Sequence, residues 1–102
     1  MLVYTKEDKT YVGRVVAREG DEVDISEDHY LQINGHSVME TDIYYSTGEY
    51  EGGISLPVKV PSQCYFLLAD LREGGKDSRI LGPVNRSEIQ GKVMTVIRRS
   101  GI

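Results

Sequence analysis

Apolar and polar residues alternate with a period of two through most of the chain. No window sustains the three-to-four residue apolar repeat of an amphipathic helix. The pattern predicts an all-β, mostly antiparallel fold. Leu2 to Thr5 and Thr10 to Arg18 read as two strands joined across the charged loop Lys6-Glu7-Asp8-Lys9, the second continuing around Glu19-Gly20-Asp21 into Glu22 to Ser26. Tyr30 to Ile33 and His36 to Met39 flank Asn34-Gly35, a pair that tolerates the positive φ angles of a type I′ turn and so predicts a hairpin. Glu40 to Gly53 is polar and tyrosine-rich and reads as a long surface excursion without a regular element. Val58 to Val60, Cys64 to Asp70 and Ile89 to Ile97 complete the strands, with a Gly-rich loop from Glu73 to Lys76 and a turn at Gly82-Pro83.

A length of 102 residues predicts one domain spanning residues 1–102. Charged side chains make up 27% of the residues with a net charge of -4, and the two signs are mixed. No basic run is long enough to follow a phosphate backbone, so nucleic acid is not an expected partner. No stretch approaches the roughly 20 apolar residues that cross a bilayer. The single cysteine, Cys64, lies in an apolar strand and is expected to be a buried, inert thiol. His29 and His36 lack the further ligands at fixed spacing that a metal site requires, so no metal is expected.

Two blocks carry more information than the rest. The first runs Val60-Pro61-Ser62-Gln63-Cys64-Tyr65-Phe66-Leu67-Leu68-Ala69-Asp70-Leu71-Arg72, then Asp77-Ser78-Arg79-Ile80-Leu81-Gly82, then Ile89-Gln90-Gly91-Lys92. The second is Tyr11-Val12-Gly13-Arg14-Val15-Val16-Ala17-Arg18-Glu19-Gly20-Asp21-Glu22-Val23. In order and spacing they resemble the type I signal peptidase family. There a Val-Pro-x-x-x-Tyr-Phe strand leads into Gly-Asp-Asn-Arg and Ser-x-Asp-Ser-Arg, and a Tyr-x-Lys-Arg-Val strand precedes Pro-Gly-Asp-x-Val. Ala69 stands for the first Gly, Leu71 for the Asn and Gly75 for the loop Ser.

The resemblance implies a signal-peptidase-like β domain, and it also implies that the family's Ser-Lys chemistry is missing. Gly13 occupies the position of the lysine base and Gly75 that of the serine that orients it, so neither can serve. Arg14 matches the family's Arg and stays protonated. Lys9 lies four residues away, about 13 Å along an extended strand. The nucleophile's Ser-x-Met-x-Pro segment is expected upstream of this chain. Ser37-Val38-Met39 lacks the proline and reads as plain strand, with Val38 inward. What remains is a scaffold: Asp77 and Arg79 match a bridging pair beside the active site, Ser78 lies between them, and Asp70 and Arg72 match the preceding Asp and Arg.

By the same resemblance, substrate adds as a strand beside Tyr11, Val12 and Gly13, with apolar pockets expected near Val12 and Leu68 and a groove that Gly13 would widen. The implied role is that of the family's non-catalytic members, which carry glycine for the lysine and assist assembly of sortase-built pili in Gram-positive bacteria. The implied partner is an extended segment of a pilin or another secreted precursor. The place is the extracytoplasmic face of the membrane, reached only through an anchor absent from this chain, and no cofactor is implied. A fragment of a working signal peptidase is the competing expectation. Self-cleaving repressors of the Ser-Lys type rank last, since no DNA-binding segment or cleavage loop is visible. An exposed strand edge also allows a strand-exchanged homodimer.

Overall fold

Nine strands, one short α-helix and one 3₁₀ turn account for the regular structure in a computed structural model that describes residues 1–38, 53–70, 72 and 75–92. Strands β1 (Leu2–Lys6) and β2 (Lys9–Arg18) form a hairpin in the register Lys6↔Lys9 to Leu2↔Gly13. Its two turn residues, Glu7 and Asp8, both take positive φ, 52° and 65°, the type I′ geometry that matches strand twist. β3 (Glu22–Ile25), β4 (Leu31–Ile33) and β5 (His36–Ser37) follow, and the Asn34-Gly35 turn has φ 53° and 84°, as its sequence predicted. β6 (Val58–Lys59), β7 (Cys64–Leu68), α1 (Ser78–Leu81), β8 (Val84–Asn85), the 3₁₀ turn Arg86–Glu88 and β9 (Ile89–Lys92) complete the order.

All pairings are antiparallel and fall into two sheets, β8-β7-β2-β1-β9 and β5-β4-β3-β6. β7 is the hinge of the core. Its even positions, Phe66 and Leu68, join Ala17, Val23, Leu31 and Val60 in a cluster between the sheets, while Leu67 packs with Tyr4 and Val84 on the opposite face. A strand buried on both faces reads as a continuous apolar run, which is how Cys64 to Leu68 reads. A bulge between Val15 and Ala17 shifts the β2–β7 register and lets Ala17 turn into the inter-sheet cluster.

The all-β reading holds, with local corrections. α1, the 3₁₀ turn and β8 were not expected, because four, three and two residues are too few to show a period. Cys64 is half-buried, not sealed, because it pairs with Asn85 on the sheet's last strand. Met39, Glu40 to Gly52 and the end of the predicted last strand, 93–97, lie outside the described residues.

Candidate functional site

Past Tyr65, β8 no longer covers the outer edge of β7, and two side chains take over its hydrogen bonding. Leu67 N–H donates to Ser78 Oγ at 3.0 Å, and Ala69 N–H donates to Asp77 Oδ2 at 2.8 Å. Asp77 also caps α1, accepting the Arg79 N–H on Oδ1 at 3.0 Å, and Gly82, at φ 80°, ends the helix after one turn. The same carboxylate takes both ends of the Arg79 guanidinium, Nε at 2.9 Å and Nη2 at 2.7 Å. Arg79 Nη1 donates to the Arg72 carbonyl at 2.8 Å, and Arg72 Nε donates to the Ala69 carbonyl at 2.7 Å. Arg72, Asp77, Ser78 and Arg79 are all within 1% of full burial. Charges so deep persist only when paired or hydrogen-bonded; Asp77 and Arg79 pair with each other, and Arg72 donates to a main-chain carbonyl.

Asp70 is held across the sheet by Arg14. The guanidinium meets it two-pronged, Nε to Oδ1 and Nη2 to Oδ2, both at 2.9 Å. Arg14's hydrogen bonds hold the Asp70 carboxyl below its ordinary range, against a smaller opposing effect of burial. Both side chains remain 40% exposed.

Gly13 is buried on the face that carries Tyr4 and Leu67. A Cβ there would stand 3.0 Å from Leu67 Cβ and 3.3 Å from Tyr4 Cε1. The space beside the glycine is therefore filled, which corrects the expectation that Gly13 widens a groove. Tyr4 was not singled out by sequence, where it is one more alternating apolar position. It is wholly buried, stacks on Tyr11 with centroids 5.6 Å apart, and its hydroxyl has no hydrogen-bond partner among the described residues. Burial, then the negative charge of Asp77, then Tyr11, push its phenol up to about 12. A phenol so perturbed does not accept a proton near neutral pH. Gly75 lies half-buried two residues before Asp77, Lys9 is exposed at the hairpin end, and Ser37 is exposed on β5 at the edge of the other sheet.

The backbone of Tyr11-Val12-Gly13 is only half used. In a two-residue hairpin the bonded pairs alternate, so Lys9, Tyr11 and Gly13 bond to β1 while Thr10 and Val12 point their N–H and C=O the other way. On that side β7 begins pairing at Arg14↔Leu68, and among the described residues no strand pairs with Val12. The Val12 side chain is 44% exposed. Leu68 is wholly buried in the inter-sheet cluster.

The family model described as signal peptidase, peptidase S26, matches residues 2–98. Signal peptidase I P of Bacillus subtilis subsp. natto is 39% identical over 99 residues, covering 89% of this chain and 53% of its own length. Signal peptidase IB of Staphylococcus aureus (strain Mu50 / ATCC 700699) is 31% identical over 108 residues, covering 91% of this chain and 56% of its own. The chain thus spans about half the length of the curated relatives it matches. The crystal structure of a signal peptidase I from Enterococcus faecalis V583 superimposes with a TM-score of 0.74 at 25% identity, covering 91% of this chain and 92% of that one. With a family match along nearly its whole length and the same fold in a solved relative, the chain belongs to the signal peptidase family, peptidase S26.

Proposed function

We propose that this chain is a non-catalytic signal-peptidase-like domain that holds an extended segment of a secreted precursor, such as a pilin, without cleaving it. The observation that carries the reading is Gly13. The lysine position has no side chain, and the volume a side chain would enter is occupied by Leu67 and Tyr4. Among the described residues near it, the buried titratable groups are a phenol held protonated, a carboxylate bound to arginine and two guanidiniums, none of which can take a proton from a serine hydroxyl. The unpaired edge at Val12 supplies main-chain donors and acceptors for β-augmentation, a mode of binding that needs no catalytic side chain. Its place is the extracytoplasmic face of the membrane.

The test is cleavage of a signal-peptide substrate by the purified chain. No cleavage above a protein-free blank is expected, together with amide shifts on Thr10 to Arg14 when an extended precursor peptide is titrated in. Cleavage abolished by a single serine substitution would overturn the reading. A second reading, that the chain is part of a working signal peptidase, draws support from the names of its relatives, Signal peptidase I P and Signal peptidase IB, which it matches over only about half their length. A membrane helix and a Ser-x-Met-x-Pro segment encoded directly upstream would favour it.

A further inference from the structure

A second polar construction joins the β2–β3 turn to the β4–β5 turn. The Asp21 carboxylate accepts the Arg18 N–H on Oδ2 at 3.1 Å and the Asn34 side-chain amide on Oδ1 at 3.1 Å. Asn34 Oδ1 in turn accepts the Glu22 N–H at 2.8 Å, and Asn34 N–H donates to the Glu22 carbonyl at 2.8 Å. Every polar atom of the Asn34 side chain that this clamp can reach is committed to residues 21 and 22. Asn34 is nevertheless exposed, and the residue after it is Gly35, around whose Cα no non-neighbouring atom lies within 4 Å of a Cβ position.

Asn followed by Gly is the pair in which a backbone amide most readily reaches the side-chain carbonyl carbon, since glycine places no side chain in the way. We propose that Asn34 is a spontaneous deamidation site whose rate is set by the Asp21 clamp. The Gly35 nitrogen, giving its proton to solvent, attacks Asn34 Cγ. The new C–N bond closes a succinimide ring, the Cγ–Nδ2 bond breaks, and the nitrogen leaves as ammonia after taking up a proton. Water then opens the ring at either carbonyl, leaving aspartate or isoaspartate at position 34.

The clamp slows the first step, because the hydrogen bonds to Asp21 and Glu22 fix the Asn34 side chain and resist the rotation and loss of amide bonds that attack on Cγ requires, so reaction proceeds from molecules in which the turn has opened. It also makes the product unwelcome. An aspartate at 34 places a carboxylate oxygen where Nδ2 stood, 3.1 Å from Asp21 Oδ1, and replaces a hydrogen bond by like-charge repulsion. An isoaspartate adds a methylene to the main chain of a two-residue turn whose length sets the β4–β5 register.

The experiment incubates the full chain at neutral pH, native and in urea, and follows the mass change of amide to acid on the peptide containing Asn34. Asn85, the other asparagine, is followed by Arg86 and serves as the slow internal reference. Modification of Asn34 in urea, slowed about tenfold or more in the native chain, is expected if opening of the turn limits the rate. Asp21→Ala should raise the native rate toward the urea value in a variant that keeps its native circular dichroism. Independently of that variant, Asn34→Asp should lower the urea midpoint, and adding Asp21→Asn, which restores a donor facing the new acceptor, should bring it back. Equal rates in native buffer and urea, no modification in either, or an unchanged rate in folded Asp21→Ala overturns the proposal. So does an Asn34→Asp midpoint that does not move, or that Asp21→Asn fails to repair.

Discussion

Removing the Asp77 carboxylate is the most severe single test of how the scaffold is held. It accepts four hydrogen bonds, from Ala69 N–H, from Arg79 N–H and from Arg79 Nε and Nη2, all with no solvent exposure of its own. Asp77→Ala strips the buried Arg79 guanidinium of its carboxylate and leaves the Ala69 N–H on the sheet edge without its acceptor. Breaking a buried ion pair from one side costs about 3–5 kcal/mol. Domains of this size have about 5–15 kcal/mol in total, so the variant is expected to lose roughly a fifth or more of its stability. With a urea slope of about 1.5 kcal/mol/M, the midpoint should fall by about 2–3 M, measured by equilibrium unfolding followed by tyrosine fluorescence and circular dichroism. Asp77→Asn keeps the shape and one acceptor oxygen but turns an NH₂ toward a donor, and should cost about 2 kcal/mol. An Asp77→Ala midpoint within about 0.5 kcal/mol of the parent, the scatter of surface substitutions, would refute the scaffold role.

Three further outcomes are expected. Tyr4→Phe removes a buried hydroxyl without a partner among the described residues and should be neutral or stabilising by up to about 1 kcal/mol, and a loss beyond about 0.5 kcal/mol in urea unfolding would show that the hydroxyl is bonded. Because the Tyr4 pKa is raised, its contribution is fully present below the ordinary value of 10.0 and lost as pH climbs through about 12; ultraviolet titration should show a late-ionising component that is absent in Tyr4→Phe. The Asp70 pKa is depressed, so the stability its pairing adds is present above 3.8 and lost as pH falls through the lower folded value. With both partners 40% exposed that stability should stay below about 1 kcal/mol, and Arg14→Gln should return the carboxyl toward its ordinary range in an NMR titration. Gly13→Lys must displace Leu67 or Tyr4, and should cost about 1–3 kcal/mol and yield no signal-peptide cleavage; a stable, cleaving variant would refute the account of Gly13.

Much of this architecture was legible because its causes are local. Asn34-Gly35 announced its own turn, and the apolar run from Cys64 to Leu68 announced a strand covered on both faces. The first hairpin was legible as two alternating runs, although its turn uses Glu7 and Asp8 at positive φ where glycine or asparagine is the usual choice. The short helix escaped the period but not the chemistry: Asp77 before Ser78 is an N-cap signal, and Asn85 with Glu88 three residues on is a capping box, which the structure forms from both sides. What sequence could not give was which partners meet across the sheet. Arg14 and Asp70 are 56 residues apart, and nothing in either block says that Asp70 turns to Arg14 instead of Arg72. The filling of the space beside Gly13 by Tyr4 and Leu67 is likewise a property of three strands brought together, not of any one of them.

The hydroxyl of Ser78 and the carboxylate of Asp77 have a consequence for how the molecule behaves in company. A sheet rim with bare N–H groups is a template on which other chains polymerise, and proteins commonly blunt it with charge, proline or a covering loop. Here the outward N–H groups of Leu67 and Ala69 are taken by two side chains from a single turn of helix, so these two donors are not offered to an incoming strand. The apolar strand β7 is thereby left with two fewer free donors on which another chain could add. Asp-Ser-Arg then acts as a guard against self-association, a duty independent of any peptide bond being cut.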